Sequence, residues 1–256
     1  MDTRFWGPSG WRLLHLITFT YEQSSSEEVK DFFNLLPYVL PCKFCRASLS
    51  EYMEEDPIDP HLDSQSSLTQ WLYRIHNSVN KKLRGQGLLK ERNPSFSSVK
   101  KVYEDRVREG CMRTTFEGWD FLFSIAENHP LTVSGSSPMP DMPEEIKKSI
   151  DPKIRNRWNI LSNEERMVFY TAFWKRVGDV LPFQEWRDAW QECSPEFERL
   201  KNKKRWKKEL WRIRCCLENR LELVNKDKYE SVCKKLEEHT SGCNKKKRAK
   251  TCRKKK

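Results

Sequence analysis

Cys42 and Cys45 are separated by two residues and follow Pro41 at the predicted start of a helix. At that spacing the two thiols lie on the same side of the helix and can close a short disulfide. The helix N-terminus and the basic Lys43 and Arg46 favour a thiolate, so the pattern indicates redox chemistry. Half of a zinc site is the alternative, but zinc needs two more nitrogen or sulfur ligands, and the chain has no second C-x-x-C and no H-x-x-x-H. We predict a redox pair and no metal.

A second group of polar residues, His76, Asn77 and Asn80, lies on the most regular helical pattern of the chain, over residues 67–83. His76 and Asn80 fall on a face that also carries apolar residues. Polar groups on a core face need partners, and a cofactor with ring nitrogens and hydroxyls would supply them. The alternative is that His76 is a core histidine whose ring nitrogens have hydrogen-bond partners within the protein.

The elements that position these residues are predicted to be helices only. Helix-forming residues are abundant, glycine occurs nine times, and no long run alternates with a period of two. A Ser-, Gly- and Pro-rich stretch over residues 132–144 is typical of an insertion loop. The predicted helices cover residues 11–22, 27–38, 47–53, 67–83, 97–108, 116–128, 163–180, 184–193, 195–224 and 227–239.

The net charge of +11 is concentrated in residues 201–208 and 244–256. This pattern fits either a solvated, disordered tail or contact with nucleic acid or another polyanion. The first 19 residues do not have the pattern of a secretory signal, and no apolar stretch reaches the roughly 20 residues that span a bilayer. We therefore expect a protein that is cytoplasmic, not secreted and without membrane contact, whose nine cysteines serve catalysis more than a disulfide scaffold.

Three segments, in this order and spacing, resemble the Erv/ALR family of FAD-linked sulfhydryl oxidases, of the type that large DNA viruses also encode. The segments are residues 6–15 (WGPSGWRLLH), 41–45 (PCKFC) and 76–83 (HNSVNKKL), and the resemblance covers about residues 1–111.

The resemblance implies a four- or five-helix bundle that binds FAD. Cys42 and Cys45 would be catalytic, with Cys45 beside the flavin and Cys42 exchanging with the incoming dithiol. Electrons would pass from protein dithiols through FAD to O2, giving H2O2, and dimers are usual in the family. The residues implied to contact the cofactor are Gly7, Trp11, His15, Tyr21, Cys45, His76, Asn77, Val79, Asn80, Lys82, Leu83 and Tyr103.

The second half of the sequence repeats the first. Residues 73–83 align without gaps with 211–221, and residues 39–45 align with 180–186; Gly10-Trp11 aligns with Gly118-Trp119, and 110–111 with 242–243. In the second copy Phe183 and Trp186 replace the two cysteines, and Arg214-Cys215 replaces His-Asn. We interpret residues 112–243 as a degenerate copy without cofactor, between the oxidase domain 1–111 and the basic tail 244–256. Chance similarity between basic amphipathic helices is the alternative.

The remaining cysteines could relay electrons to the redox pair. Cys243 and Cys252 on the basic tail are the first candidates for such a shuttle, and Cys215–Cys216 or the single Cys111, Cys193 and Cys233 are alternatives. The rival functions are a non-catalytic, nucleic-acid-binding scaffold and a zinc-binding module.

Overall fold

The computed structural model describes residues 1–132 and 143–240, and this part of the chain contains helices and no strands. The predicted all-α class is thereby confirmed. The first half forms α1 (Thr3–Phe19), α2 (Ser26–Val39), α3 (Lys43–Glu55), α4 (Gln65–Gly85) and α5 (Phe96–Glu109). The second half forms α6 (Trp119–Glu127), α7 (Glu144–Ser149), α8 (Pro152–Arg157), α9 (Asn163–Val177), α10 (Gln184–Glu192), α11 (Lys203–Arg220) and α12 (Tyr229–Glu238).

The helix boundaries differ from the predicted ones mainly at α1. The turn residues over 7–10 predict a start at residue 11, but the helix starts at Thr3 because the Asp2 side chain caps it by accepting from the Arg4 N–H. Pro8 is accommodated inside the helix. In the second half, Asn202 leaves the helical conformation and caps α11, so the predicted helix 195–224 is interrupted. Most of the predicted insertion and all of the predicted tail lie outside the described residues.

In the first half, α1 packs against α4 and α5, and α3 packs against both α2 and α4. The second half repeats three of these four pairings, since α6 packs against α11 and α12, and α10 packs against α11. The order of the packed helices therefore repeats along the chain, with α7 and α8 inserted before α9.

The two halves pack through helices that correspond in the sequence alignment, α1 with α6 and α2 with α9. The rings of Phe32 and Phe173, which are aligned positions, stack with their centroids 5.4 Å apart. Where α1 meets α6, a Cβ built on Gly10 would lie 3.0 Å from the Phe121 ring, and one on Gly118 would lie 2.6 Å from the Leu13 side chain. Because Gly10 aligns with Gly118 and Leu13 with Phe121, these are the two directions of one reciprocal contact.

The turns that lead into α3 and α10 also correspond. The Arg46 guanidinium donates to the carbonyl of Leu40 at 2.9 Å, and the Arg187 guanidinium donates to the carbonyl of Leu181 at 2.6 Å. In both turns the third and fourth N–H groups of the helix donate to the carbonyl of the residue that precedes it, Cys42 or Phe183. This turn is what positions the C-x-x-C motif.

Candidate redox and cofactor site

Cys42 is the residue before α3, and Cys45 lies in the first turn of that helix. Both are half-buried free thiols. The pKa of Cys42 is lowered to about 6, first by the hydrogen bond from the Cys45 thiol and then, against the effect of burial, by the N–H groups of the helix and the charge of Arg46. The helix start thus favours a thiolate at Cys42.

Two cations from the first half lie near the redox pair. The Arg46 side chain is buried, and its second nitrogen donates to Oδ1 of Asn159 at 3.1 Å. The α-amino group of Met1 lies within electrostatic range of both thiols. Two positive charges of the first half therefore lie close to the pair, and one of them is held by Asn159 of the second half.

Four planar side chains from α1, α4 and α5 form one cluster. The Trp11 ring stacks on His76 with a centroid distance of 3.8 Å, and the His15 ring stacks on Tyr103 at 4.9 Å. Nε2 of His15 lies 3.1 Å from Nδ1 of His76, so one ring donates and the other accepts. These four residues, each on the predicted cofactor set, are brought together by the fold.

Both imidazoles of the cluster are neutral near neutral pH. Burial lowers the pKa of His15 to about 3, with a contribution from His76, and burial lowers the pKa of His76 to about 4. Nδ1 of His15 is buried without a hydrogen-bond partner. The cluster therefore offers stacked, uncharged rings and one unused polar atom.

Lys82 connects α4 to the redox motif. Its ammonium donates to Oγ of Ser48 at 2.6 Å and to the carbonyl of Phe44, inside the motif, at 3.3 Å. Two residues earlier, Asn80 donates to Asn93 at 3.1 Å. Polar residues of α4 thus contact both the cysteine motif, through Lys82, and the ring cluster, through His76.

The other predicted residues are less closely associated. Tyr21 lies beyond the end of α1, where its hydroxyl donates to the carbonyl of Leu62 at 2.6 Å, and within the described chain it makes no ring contact with the cluster. Gly7 is half-buried, with open space where a Cβ would be. Three more predicted residues, all half-buried, lie on α4: Asn77, Val79 and Leu83.

In the second half, ion pairs and aromatic rings occupy the positions that align with the site. Arg214, which aligns with His76, donates to Glu218 at 2.7 Å and to Asp227 at 2.9 Å. Trp186, which aligns with Cys45, is fully buried, and its ring stacks on Phe116 with a centroid distance of 4.2 Å.

The remaining cysteines do not form the adjacent pair that was one alternative for the shuttle. Cys216 is bonded to Cys193, with their Cα atoms 5.9 Å apart, so Cys215–Cys216 is excluded as a disulfide. The free thiols outside the motif are Cys111, Cys215 and Cys233, whereas Cys243 and Cys252 lie outside the described residues. Across residues 1–132 and 143–240, no three potential ligand side chains are grouped in a way that could hold a metal ion.

Sequence reasoning did not find the part of the site that comes from the second half. Asn156 donates to the carbonyl of Pro37 and to Ser50, both at 2.9 Å, and Asn159 accepts from Arg46. Arg166 approaches Arg46. No motif marks these residues, because their role depends on a contact between the halves. In the described part of the chain, every helix is too short or too polar to cross a membrane.

The sequence was compared with protein families, with curated proteins and with solved structures. Residues 8–103 match the model of the Erv1 / Alr family. The mitochondrial FAD-linked sulfhydryl oxidase ERV1 of Saccharomyces cerevisiae is 33% identical over 87 residues, which are 32% of this chain and 45% of the yeast protein. A probable FAD-linked sulfhydryl oxidase of Acanthamoeba polyphaga mimivirus is 36% identical over 85 residues, which are 31% of this chain and 59% of the viral protein.

The chain thus spans about half the length of the curated relatives it matches. No solved structure gives a significant match. The matched residues include the redox pair, the four-ring cluster and Lys82. Residues 8–103 of this chain therefore form an Erv1/Alr family domain.

Proposed function

We propose that this protein is an FAD-dependent thiol oxidase that makes disulfide bonds in protein substrates. The observation that carries the proposal is the Cys42–Cys45 pair at the start of α3, with its thiolate favoured and with Lys82 linking the motif to α4. The relatives of this domain are named FAD-linked sulfhydryl oxidases. The whole reaction converts a dithiol and O2 into a disulfide and H2O2.

The ring cluster fits FAD. Trp11, His15, His76 and Tyr103 offer planar faces for stacking, and the unpartnered Nδ1 of buried His15 offers a polar contact. Neutral imidazoles suit an uncharged ring system better than imidazolium groups would. These residues would hold the cofactor together with Asn77, Asn80 and Lys82, and the proposed set also keeps Gly7, Tyr21, Val79 and Leu83. When bound, FAD supplies the two-electron acceptor that O2 reoxidises.

The protein residues carry out the thiol chemistry. A substrate thiolate attacks the oxidised pair at Cys42, and Cys45 leaves as a thiolate. The second substrate thiol, as its thiolate, then attacks the substrate sulfur of the mixed disulfide, which displaces Cys42 as a thiolate and releases the oxidised substrate. The N–H groups at the start of α3 and the Arg46 guanidinium stabilise the negative charge that forms there.

The second half, residues 112–243, is proposed to be a degenerate copy that has lost the cofactor. The support lies in the repeated helix packing, in the reciprocal contacts at Gly10 and Gly118, and in the matching Arg46 and Arg187 turns. Phe183 and Trp186 stand where the first copy has its cysteines. These contacts favour a repeat over a chance resemblance between basic amphipathic helices.

The tail cysteines Cys243 and Cys252 remain the proposed shuttle pair. The end of α12 supports this: His239 stacks on Phe5 at 4.4 Å, and its carbonyl accepts from the Asp2 N–H at 2.9 Å. The neighbouring Met1 amine is within electrostatic range of Cys42 and Cys45. The last described residues, at the end of α12, therefore lie on the side of the fold where Met1 approaches the redox pair.

The remaining partners and the location are also part of the proposal. A homodimer remains part of the proposal, and it would use surfaces other than the faces of α1 and α2 that pack on α6 and α9. Nucleic-acid or polyanion contact is proposed for the basic tail 244–256. We propose the cytoplasm as the location, and the host cytoplasm or the virion if the chain is viral, as one of its relatives is.

The experiment that tests the function is a visible absorption spectrum of the purified chain, combined with oxygen uptake on dithiothreitol. We expect one flavin per chain and H2O2 formation that is lost in Cys42→Ser and Cys45→Ser. A matched control is Cys215→Ser, a half-buried thiol in the second half. A folded, colourless protein that consumes no oxygen would overturn the proposal, and a flavin ratio of two would refute the loss of cofactor in the second copy.

Two lysines of the basic stretch 201–208 serve the packing of the fold, which argues against the scaffold alternative for these two residues. Lys207, in the basic stretch 201–208, pairs with Glu127 at 2.8 Å, and Lys203 pairs with the same carboxylate. These lysines stabilise the packing of α11 against α6.

A further inference from the structure

The short helix α8 of the second half is held against α3, the helix that begins within the redox motif. Asn156 donates to Oγ of Ser50 at 2.9 Å, and Arg157 forms ion pairs with Glu51 and Glu54, each at 3.1 Å. The helix α8 belongs to the segment that is inserted before α9. A part of the chain without a counterpart in the first half therefore lies along the helix of the redox motif.

The residues that end α8 reach the turn that holds the cysteines. Asn159 adopts a left-handed backbone conformation, with φ of 58°, and the N–H of Ile160 donates to the carbonyl of Arg155 at 2.9 Å, which ends the helix as a Schellman motif. In this geometry Oδ1 of Asn159 accepts from the Arg46 guanidinium at 3.1 Å. Because Arg46 directly follows Cys45 in the chain, the end of α8 lies beside the redox turn.

Large apolar side chains are exposed on both elements of this contact. Trp158, the residue before Asn159, is 58% exposed, and Ile154, one turn earlier on the same face of α8, is 38% exposed. Phe44, between the two cysteines, is 40% exposed. Single exposed apolar residues are common on protein surfaces, but three of them on two contacting elements indicate an interaction surface.

The inserted segment lies against the copy that has the cysteines. In the first half, α1 and α2 are joined by residues 20–25, whereas the corresponding α6 and α9 are joined by residues 128–162, which include α8. The turn into α10, which aligns with the redox turn, is held within its own half, since Arg187 donates to the carbonyl of Leu181 and to Oε1 of Gln184. A hydrogen bond from the other half is thus a property of the redox turn among these two described turns.

We propose that Trp158, together with Ile154, docks an apolar side chain next to a cysteine of a reduced, unfolded polypeptide, so that the inserted segment selects the dithiols that reach Cys42. The inference rests on the proposed thiol oxidase function. Folded proteins bury cysteines and large apolar residues alike, whereas an unfolded chain exposes the two together. An aromatic ring offers a large contact area at a low cost in conformational entropy. The occupant is therefore a polypeptide that has not yet folded.

The test uses the full-length holoprotein and two reduced synthetic peptides, each with two cysteines in an otherwise polar sequence. One peptide has phenylalanine beside its first cysteine, and the other has serine at that position. Oxygen uptake gives kcat/KM for each peptide, and we expect the wild type to prefer the phenylalanine peptide about tenfold. In Trp158→Ala the ratio of the two values should fall to about two or less. In Trp158→Phe, which keeps an aromatic ring, the ratio should stay near the wild-type value.

The ratio separates docking from a general loss of activity, because both peptides report on the same enzyme preparation. Val224→Ser is the matched control, since it removes an exposed apolar side chain of the second half whose N–H donates to the carbonyl of Arg113, and it should leave the ratio unchanged. An unchanged ratio in Trp158→Ala, or an equal fall in Val224→Ser, would overturn the inference.

Two further outcomes concern the occupant and the function. A change from dimer to monomer in Trp158→Ala without a change in the ratio would overturn the inference, because Trp158 would then contact a second copy of the chain. A wild type that oxidises dithiothreitol but does not distinguish the two peptides would refute docking alone. A wild type that oxidises neither dithiothreitol nor the peptides would refute the proposed function.

Discussion

At the scale of single residues, the site separates two kinds of chemistry. The cysteine pair lies at a helix start among cations, where negative charge is favoured, and the ring cluster lies where charge of either sign is disfavoured. The first environment suits thiol exchange, and the second suits the stacking of a neutral ring. Titration of Cys42 and of the two histidines of the ring cluster should reveal these two environments.

The first residue-scale prediction concerns Cys42. Its pKa of about 6 means that the thiolate of the reduced pair forms as the pH rises through 6 and is protonated below it. The groups that face it are the Cys45 thiol, the Arg46 guanidinium and the Met1 amine. Ultraviolet thiolate absorbance of the reduced protein should rise near pH 6 and should lose that step in Cys42→Ser. A first step above pH 8 in the wild type would contradict this reading.

The second residue-scale prediction concerns His15 and His76. Their pKa values in the folded protein, about 3 and about 4, lie below the ordinary value, so between about pH 6.5 and 4 the unfolded chain binds protons that the folded chain does not. The free energy of unfolding should therefore fall as the pH drops through this window, by up to about 1.4 kcal/mol per pH unit for each imidazole. Denaturant unfolding at several pH values measures it. The double variant His15→Phe, His76→Phe should flatten the dependence, and an identical slope in that variant would refute the assignment.

At the scale of helices, the close approach of α1 and α6 depends on glycine. The Phe121 ring packs directly on Gly10 and leaves no room for a side chain there. Gly7, about one turn earlier on the same helix, faces open space. The helical contact between the halves is therefore sensitive to a single methyl group.

This contact gives a matched pair of variants. Gly10→Ala should lower stability by about 1–3 kcal/mol, because Phe121 is fully buried and cannot move aside. Gly7→Ala should be neutral or stabilising by about 0.5–1 kcal/mol, as expected for alanine in a helix. Thermal unfolding of both variants checks the difference. Equal effects would mean that α1 and α6 do not pack this closely.

The sequence predicts the helices and the cofactor face better than the contacts between the halves. The long helix α4 and its His76 are clear from apolar periodicity, and the cysteine motif is local. The early start of α1 cannot be read from the apolar pattern, because it depends on the Asp2 side chain as an N-terminal cap. The pairing of Arg46 with Asn159 bridges residues 113 apart in the chain, and only the folded structure reveals it.

At the scale of the whole molecule, the chain has one continuous core that includes residues of both halves. The stacked, fully buried Phe32 and Phe173 belong to it, and Asn159 of the second half accepts a hydrogen bond from Arg46, next to the redox pair. We therefore expect the second half to be required for the stability of the first.

The unfolding of the full chain tests whether the two halves fold as one cooperative unit. Phe173→Ala should cost about 3–5 kcal/mol, because the ring is fully buried against Phe32. Val168→Ala, at an exposed position on the same helix, should cost little. Circular dichroism and tryptophan fluorescence should report one coincident transition in denaturant. Two separated transitions, with only the second affected by Phe173→Ala, would show that the halves unfold independently.

The central claim is that electrons enter through Cys42 and Cys45 and reach a flavin held by the same domain. Anaerobic addition of a dithiol to the purified full-length chain, followed in the visible flavin band, tests it most directly. We predict that the band bleaches in the wild type and persists in Cys42→Ser and Cys45→Ser, which should still bind flavin. Bleaching at the wild-type rate in both cysteine variants, or a folded wild type without a flavin band, would contradict the account.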